Sequence, residues 1–281
     1  MIEPHPDLDG VLRGHLQRWQ LRTDGPVRVG GHSLVIPVLT EQNMAAILKV
    51  GRLDTPGEHE HLVLRRWAGN GAARLLRADP PTRTVLLERL RAPTLAALSD
   101  TDACAIVAEL HTRLHVPAMP QLPSLIDQVA QWTDELDRLP RSAPIPHRLA
   151  EQAAGLGREL AAEPGRRPGA VLHGDLHYGN VLATDRGAWA AISPQPLNGD
   201  PSFELAPMLW HRWTEIVPEV REGIRRRFWM LVDATGLDED RARAATLIRV
   251  MFAATRELLS GNQLSADRLT RYVAIAKAIQ D

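Results

Sequence analysis

The chain has 281 residues, 44% apolar and 24% charged, a composition typical of a globular protein long enough for two lobes. Thirty-three basic against 34 acidic side chains leave a formal charge of -1, so there is no global field to hold nucleic acid or an anionic membrane, and neither is expected as a partner. The single cysteine, Cys104, excludes an internal disulfide and a thiolate metal cluster. With no charged-then-apolar opening and no run of about 18 apolar residues, neither secretion nor membrane insertion is expected; the lone cysteine points to the cytoplasm, and a monomer or weak dimer is expected.

The predicted elements begin with an amphipathic helix over Pro6 to Trp19. Short β-rich runs follow at Val27 to Val29, Ser33 to Leu39 and Ala45 to Val50, the first two separated by Gly30-Gly31. A helix over Gly57 to Trp67 precedes two further strands, Leu75-Leu76 and Val85 to Leu90, with Asp79-Pro80-Pro81 as the turn between them. From Ser99 the pattern is helical: Ser99 or Asp100 can cap a helix to about His115, and others span Ser124 to Leu139 and Ile145 to Ala162. Glu163 to Gly169 reads as a loop. Between Ala170 and Pro194 the runs VLATD and AWAAIS flank Asp185-Arg186-Gly187 and predict a hairpin. Helices then resume over Phe203 to Trp213, Glu219 to Thr235, Glu239 to Leu259 and Ala266 to Ile279.

The densest polar cluster is His-Gly-Asp-Leu-His-Tyr-Gly-Asn, residues His173 to Asn180, between the apolar Val171-Leu172 and Val181-Leu182. Three readings fit it. His173, Asp175 and His177 could present three metal ligands, as in a metallohydrolase, although no second His or Asp cluster answers them. A turn with an Asx cap would use one carboxylate. Phosphoryl transfer gives Asp followed five residues later by Asn a joint purpose. Asp175 would orient the attacking hydroxyl, Asn180 would offer its amide oxygen to Mg2+ on the phosphates of ATP, and His173 would brace the loop.

That third reading needs a cation for the phosphates, an acid to hold it and a backbone strip for adenine. Only Lys49 and Lys277 are lysines, and Lys49 lies inside the apolar strand Ala-Ala-Ile-Leu-Lys-Val, where an ammonium is costly unless paired. Glu60 is its candidate partner, with Glu58 competing; the alternative for Lys49 is a strand-edge lysine that snorkels to water. The backbone of Glu88, Arg89 and Leu90 is placed to receive adenine, unless it is a plain connecting strand. Gly30, Gly31 and Ser33 could lie over the phosphates, although paired glycines also simply mark turns. Trp210, His211, Trp213 and Glu215 are candidates to line a pocket for a small hydroxyl-bearing substrate, and the tryptophans could equally be core.

The segments AAILKVG, EHLVLRRWAGNGAARLL, VLLERL, VLHGDLHYGNVL and NGDPSFELAPMLW occur in an order, spanning most of residues 27 to 213, that resembles the aminoglycoside phosphotransferases of the protein-kinase-like fold. Within that group the chain is most similar to the streptomycin 6-kinase and hydroxyurea phosphotransferase family. The resemblance implies an α+β fold of two lobes: residues 1–91 with a small antiparallel sheet and one key helix, and residues 92–281 mainly helical with an inserted hairpin. It also implies Asp175 as catalytic base, Asn180 as a magnesium ligand, Lys49 as the phosphate-binding lysine with Glu60 as its partner, and transfer of the ATP γ-phosphoryl group to a hydroxyl of an antibiotic-like molecule. One position departs. Where the family has Ile-Asp-Pro, its Asp a principal magnesium ligand, this chain reads Ile192-Ser193-Pro194. A neutral hydroxyl offsets less of the ion's charge. Asp200 is a possible substitute, though the resemblance gives it a loop-supporting role. A second expectation is therefore a catalytically impaired, nucleotide- or small-molecule-binding relative.

Overall fold

A computed structural model describes residues 6–30, 32–54, 57–163, 169–259 and 266–280. Its contacts divide the chain into two compact units, Met1–Pro93 with Val181–Pro196 and Thr94–Asn180 with Leu197–Asp281. The first unit runs to Pro93 where 91 is expected, and the hairpin, inserted within the chain of the helical lobe, groups with the first unit.

The first unit opens with helix α1 (Pro6–Arg18), followed by strands β1 (Arg22–Thr23), β2 (Arg28–Val29), β3 (Ser33–Leu39) and β4 (Ala45–Gly51). β1 has two residues, both exposed, and so carries no periodic signal in the sequence. Along β3 and β4 burial alternates strictly, as side chains on a pleated strand point to opposite faces. Leu34, Ile36, Val38, Ala46, Leu48 and Val50 are buried. All but Leu34 belong to a core with Leu12 of α1, Trp19 and Leu86. Each large apolar side chain buried this way contributes about 1.5–3 kcal/mol. The same alternation turns Lys49 to the opposite face, with Val35 and Val85 as its cross-strand neighbours.

Helix α2 (Glu60–Trp67) starts three residues later than expected and buries Val63, Leu64 and Trp67. Strands β5 (Leu75–Asp79) and β6 (Thr84–Glu88) follow, joined through a 3-10 turn at Pro80–Thr82. The expected extension of β6 to Leu90 is absent; Glu88 pairs with Ala46, beside the first residue of β4. The antiparallel sheet has the order β1-β3-β4-β6-β5, with β2 also on β3.

The second unit begins with α3 (Asp100–Leu114), where Ser99 caps the helix by accepting a hydrogen bond from the Asp102 amide. Helices α4 (Leu125–Asp137) and α5 (His147–Ala162) come next, and then strand β7 (Ala170–Leu172). Most of the expected loop at residues 163–169 lies outside the described residues. Strands β8 (Val181–Ala183) and β9 (Trp189–Ala191) form the predicted hairpin around Asp185-Arg186-Gly187. Its bonds to Ala73, Gly71 and Arg91 tie it to the first unit. β7 is not part of the hairpin; it pairs with β10 (Leu197–Gly199).

The remaining helices are α6 (Ala206–Trp210), α7 (Val220–Thr235), α8 (Glu239–Leu259) and α9 (Ala266–Ala278). The single helix expected over Phe203 to Trp213 is instead a 3-10 turn at Pro201–Glu204, then α6, then a 3-10 turn at Trp213–Glu215. Arg212 breaks it with a left-handed backbone, φ 51°, where its guanidinium donates to Leu98 O and lies over the Tyr178 ring. The core of this unit joins Leu125, Val129 and Trp132 of α4 to Leu172, Leu197, Phe203, Ala245 and Ile248.

Candidate active site

In the second unit, β7 runs directly into the loop His173 to Asn180. Leu176 and Tyr178 are buried beneath it, and Gly174 turns it with φ 80°, a conformation costly for any residue with a Cβ. Buried Glu204 accepts the amides of His173 and Gly174 at 2.9 and 2.7 Å. Arg249 of α8 donates to Gly174 O and lies over the Trp132 ring. The Tyr178 hydroxyl donates to Asp100 at 2.8 Å, and Asp100 is paired with the fully buried Arg227. His173, fully buried, accepts the Asp175 amide on Nδ1 at 3.3 Å.

These anchors hold Asp175 partly buried, with 29% of its side chain exposed. Asn180 Nδ2 donates to Asp175 O at 2.8 Å and to its carboxylate at 3.1 Å. Burial raises the Asp175 carboxyl to about 6, against the opposing pull of Arg249 and the Asn180 hydrogen bond. His177 stacks on His211 with ring centroids 3.6 Å apart and planes within 4°. Burial holds His177 well below an ordinary histidine, at about 3, with His211 adding to the effect. The ring is therefore neutral at physiological pH. Its Nδ1 accepts the Gly179 amide at 3.1 Å, while Nε2 is 3.8 Å from the Asp175 carboxylate. With His173 and His177 each using Nδ1 on a backbone amide, the trio His173, Asp175 and His177 does not form the metal cluster that a metallohydrolase reading requires. The cluster the described residues do gather is a different one, His111, His115 and Glu204.

Of the four candidate substrate residues, only His211 is brought against the loop. Trp210 meets Tyr272 edge-on at 5.7 Å, Trp213 is covered by Arg271, and Glu215 is spent in an ion pair with Arg212. Asp200 caps the turn at Ser202 N and pairs with Arg241, which leaves it a loop support rather than a substitute metal ligand.

In the first unit, Lys49 Nζ donates to both carboxylate oxygens of Glu60, at 2.8 and 2.9 Å. Glu58 pairs instead with Arg83. Lys49 also donates to Ser193 Oγ at 3.3 Å, so it is a paired lysine and not a snorkelling one. Ser193 has φ 56°. Gly30 N donates to Ser33 O at 2.8 Å, closing the turn between β2 and β3; Gly31 lies outside the described residues. The Glu88 amide donates to Arg74 O, and its carboxylate takes the Arg74 amide and Arg186. Arg89 uses its side chain on Ala46 O, Val38 O and Asp24. The Glu88 amide and carboxylate and the Arg89 side chain thus have structural partners, and the bonds described leave the Glu88 carbonyl and the backbone of Arg89 and Leu90 as the expected adenine strip.

The two residues expected to hold a divalent cation, Asn180 and Ser193, offer neutral oxygens. Their hardness suits Mg2+ in kind, but their lack of charge predicts weak affinity. Sequence reading missed the roles of Glu204, Arg249, Arg227 and Asp100. All four are charged side chains on helices or turns, and only their burial sets them apart from solvated ones.

Residues 18–261 match the family described as aminoglycoside/hydroxyurea antibiotic resistance kinase. The chain belongs to this family. A streptomycin 6-kinase from Streptomyces glaucescens is 42% identical over 91% of this chain and 84% of its own length. A hydroxyurea phosphotransferase from Kitasatospora aureofaciens is 39% identical over 97% and 78%. Among solved structures, a choline/ethanolamine kinase family protein from Mesorhizobium loti superposes with TM-score 0.67 at 16% identity, covering 98% of this chain and 95% of that one. The amicoumacin kinase hAmiN gives TM-score 0.64 at 14% identity over 99% and 94%. The family read from the motifs is confirmed, and so is the protein-kinase-like fold. The alternative of a catalytically silent relative gains nothing, since the matched family is one of kinases. No helix among the described residues is long and apolar enough to cross a membrane.

Arg249 offers a direct check on how this kinase-family loop is held. Arg249→Met keeps the length of the stem but removes the charge and the bond to Gly174 O. It is expected to lower kcat by about tenfold to a hundredfold, the scale of a displaced catalytic group. The pH at which the rate is half-maximal should also rise, because Arg249 opposes the upward shift of Asp175. An unmoved pH profile would reduce Arg249 to packing.

Proposed function

We propose that the chain is an ATP-dependent phosphotransferase that moves the γ-phosphoryl group to an alcohol hydroxyl of an aminoglycoside-like or other antibiotic substrate. It acts as a cytoplasmic monomer or weak dimer. The observation that carries the reading is Asp175, an acid raised to about 6 on a loop braced by Glu204, Arg249 and Asn180. Such a group is ionised at neutral pH yet basic enough to accept a proton from a reacting alcohol. As the acceptor oxygen bonds to γ-phosphorus, the bond from phosphorus to the bridging oxygen breaks, ADP leaves, and the hydroxyl proton passes to Asp175. Lys49, oriented by Glu60, neutralises phosphate charge. Gly30 and Ser33 cover the phosphates, and the backbone of Glu88 to Leu90 receives adenine. Asn180 and Ser193 would offer their side-chain oxygens to Mg2+, which would supply charge neutralisation for the phosphates. His211, with His177 stacked on it, forms an uncharged wall beside Asp175.

Magnesium-dependent ADP release, measured with streptomycin, other aminoglycosides and hydroxyurea, tests the proposal. Acceptor-dependent ADP release with at least one of them is expected. Absence of turnover together with absence of ATP binding in calorimetry would sink it. Lys49→Met separates clamp from base: with the ammonium gone and Glu60 left unpaired, kcat/KM for ATP is expected to fall by about a hundredfold or more. Lys49→Arg should recover little of that loss, because a planar fork replaces a compact charge. Full rescue by arginine would count against a phosphate clamp.

A further inference from the structure

Sequence reading finds no second cluster of histidines and acids, yet the second unit contains one. His111 lies in the last turn of α3 and His115 follows one helical turn later, so the two imidazoles share a face. Their ring centroids are 4.6 Å apart. Glu204, from the turn Pro201–Glu204, closes the group, and one ligand atom from each residue lies within 4.8 Å of the others. We propose that His111, His115 and Glu204 form a buried site for a divalent transition metal of the zinc class, distinct from the magnesium of phosphoryl transfer.

The burial of these unpartnered nitrogens supports it beyond the spacing. His111 is 3% exposed, and neither of its ring nitrogens, nor Nε2 of His115, has a hydrogen-bond partner among the described residues. An imidazole buried without partners costs on the order of 1–3 kcal/mol per polar group, which a coordinate bond would offset.

Two imidazoles and one carboxylate select zinc, cobalt or nickel over magnesium, which prefers an all-oxygen shell. A tetrahedral site with bonds of about 2.0–2.1 Å needs ligand atoms about 3.4 Å apart, so binding would draw the three side chains inward from their observed spacing of up to 4.8 Å. The outer shell is in place, since the Glu204 oxygens also accept the amides of His173 and Gly174. A metal here would fasten α3 to the carboxylate that holds the Asp175 loop. The inference does not rest on the proposed reaction.

The test is Co2+ and Zn2+ binding to the full chain after chelator treatment and removal of the chelator. One equivalent of Co2+ with visible d–d bands of four- or five-coordinate geometry is expected. The bands should be lost in His111→Phe and in His115→Gln, with far-ultraviolet circular dichroism unchanged. Zn2+ should raise the melting temperature of the wild type by several degrees and leave both variants unmoved. If His111→Phe fails to fold, His115→Gln, whose native side chain is 13% exposed, carries the comparison. Absence of stoichiometric uptake, or bands that persist in His115→Gln, overturns the site and leaves the cluster to a bridging water.

Discussion

Asp175→Asn is expected to lower kcat by about 10²–10⁴-fold, the usual contribution of a general base, and at the same time to raise the melting temperature. Both effects come from the same burial. The Asp175 carboxyl is raised from 3.8 to about 6, so the folded state disfavours its ionised form. An acid with a raised folded pKa makes a stability contribution that is fully present below about 3.8 and is lost as pH rises through about 6. At neutral pH the wild type therefore carries a charge its surroundings resist, a burden on the order of 1–3 kcal/mol. Asparagine has the same shape, still accepts from Asn180 Nδ2, and carries no charge, so a gain of several degrees in Tm is expected. The wild-type kcat/KM should rise with pH through about 6 as the base ionises, and the residual rate of the variant should be flat there. Calorimetric unfolding and a pH–rate series check both halves. A variant that is inactive but no more stable would mean Asp175 sits in a wetter setting than its burial indicates; one that retains full activity would remove it from the proton transfer.

The parts of this site that could be read from sequence are those where residue type conflicts with local pattern. Lys49 stands out because an ammonium interrupts an apolar, alternating strand, and the register of β4 places it opposite the core and beside Glu60. His173 to Asn180 stands out because polar residues crowd the junction between two short apolar strands. Glu204 and Arg249 do not stand out. Both look like ordinary charged residues on a turn and a helix, and their roles depend on contacts 30 and 75 residues away along the chain. The break at Arg212 was illegible for a similar reason, since the tertiary bonds of its guanidinium to Leu98 and Glu215 outweigh the helical periodicity of Phe203 to Trp213. His111 and His115 were separately visible, but without Glu204 folded against them a helical His pair is only a face of α3.

Ser193→Asp should lower the Mg2+ concentration needed for half-maximal activity by about tenfold or more, equivalent to roughly 1.4 kcal/mol, and leave the requirement for Lys49 intact. The hydroxyl of Ser193 is neutral and already accepts a hydrogen bond from Lys49 Nζ at 3.3 Å, so it offers the cation an oxygen without charge. A carboxylate at the same position adds a formal charge, the property that most strengthens a hard-cation ligand. The backbone does not resist the change. At φ 56° the residue is left-handed, a region in which aspartate and asparagine are more at home than most side chains. Ser193→Asn is the matched control, because it shares the backbone preference and the neutral oxygen but not the charge. Little movement in Mg2+ dependence is expected from it. Activity titrated with Mg2+ at saturating ATP separates the two variants. Equal responses would show that backbone geometry governs at this position; a response confined to aspartate would show that charge does, and that the native chain carries out its reaction with a weakly held metal.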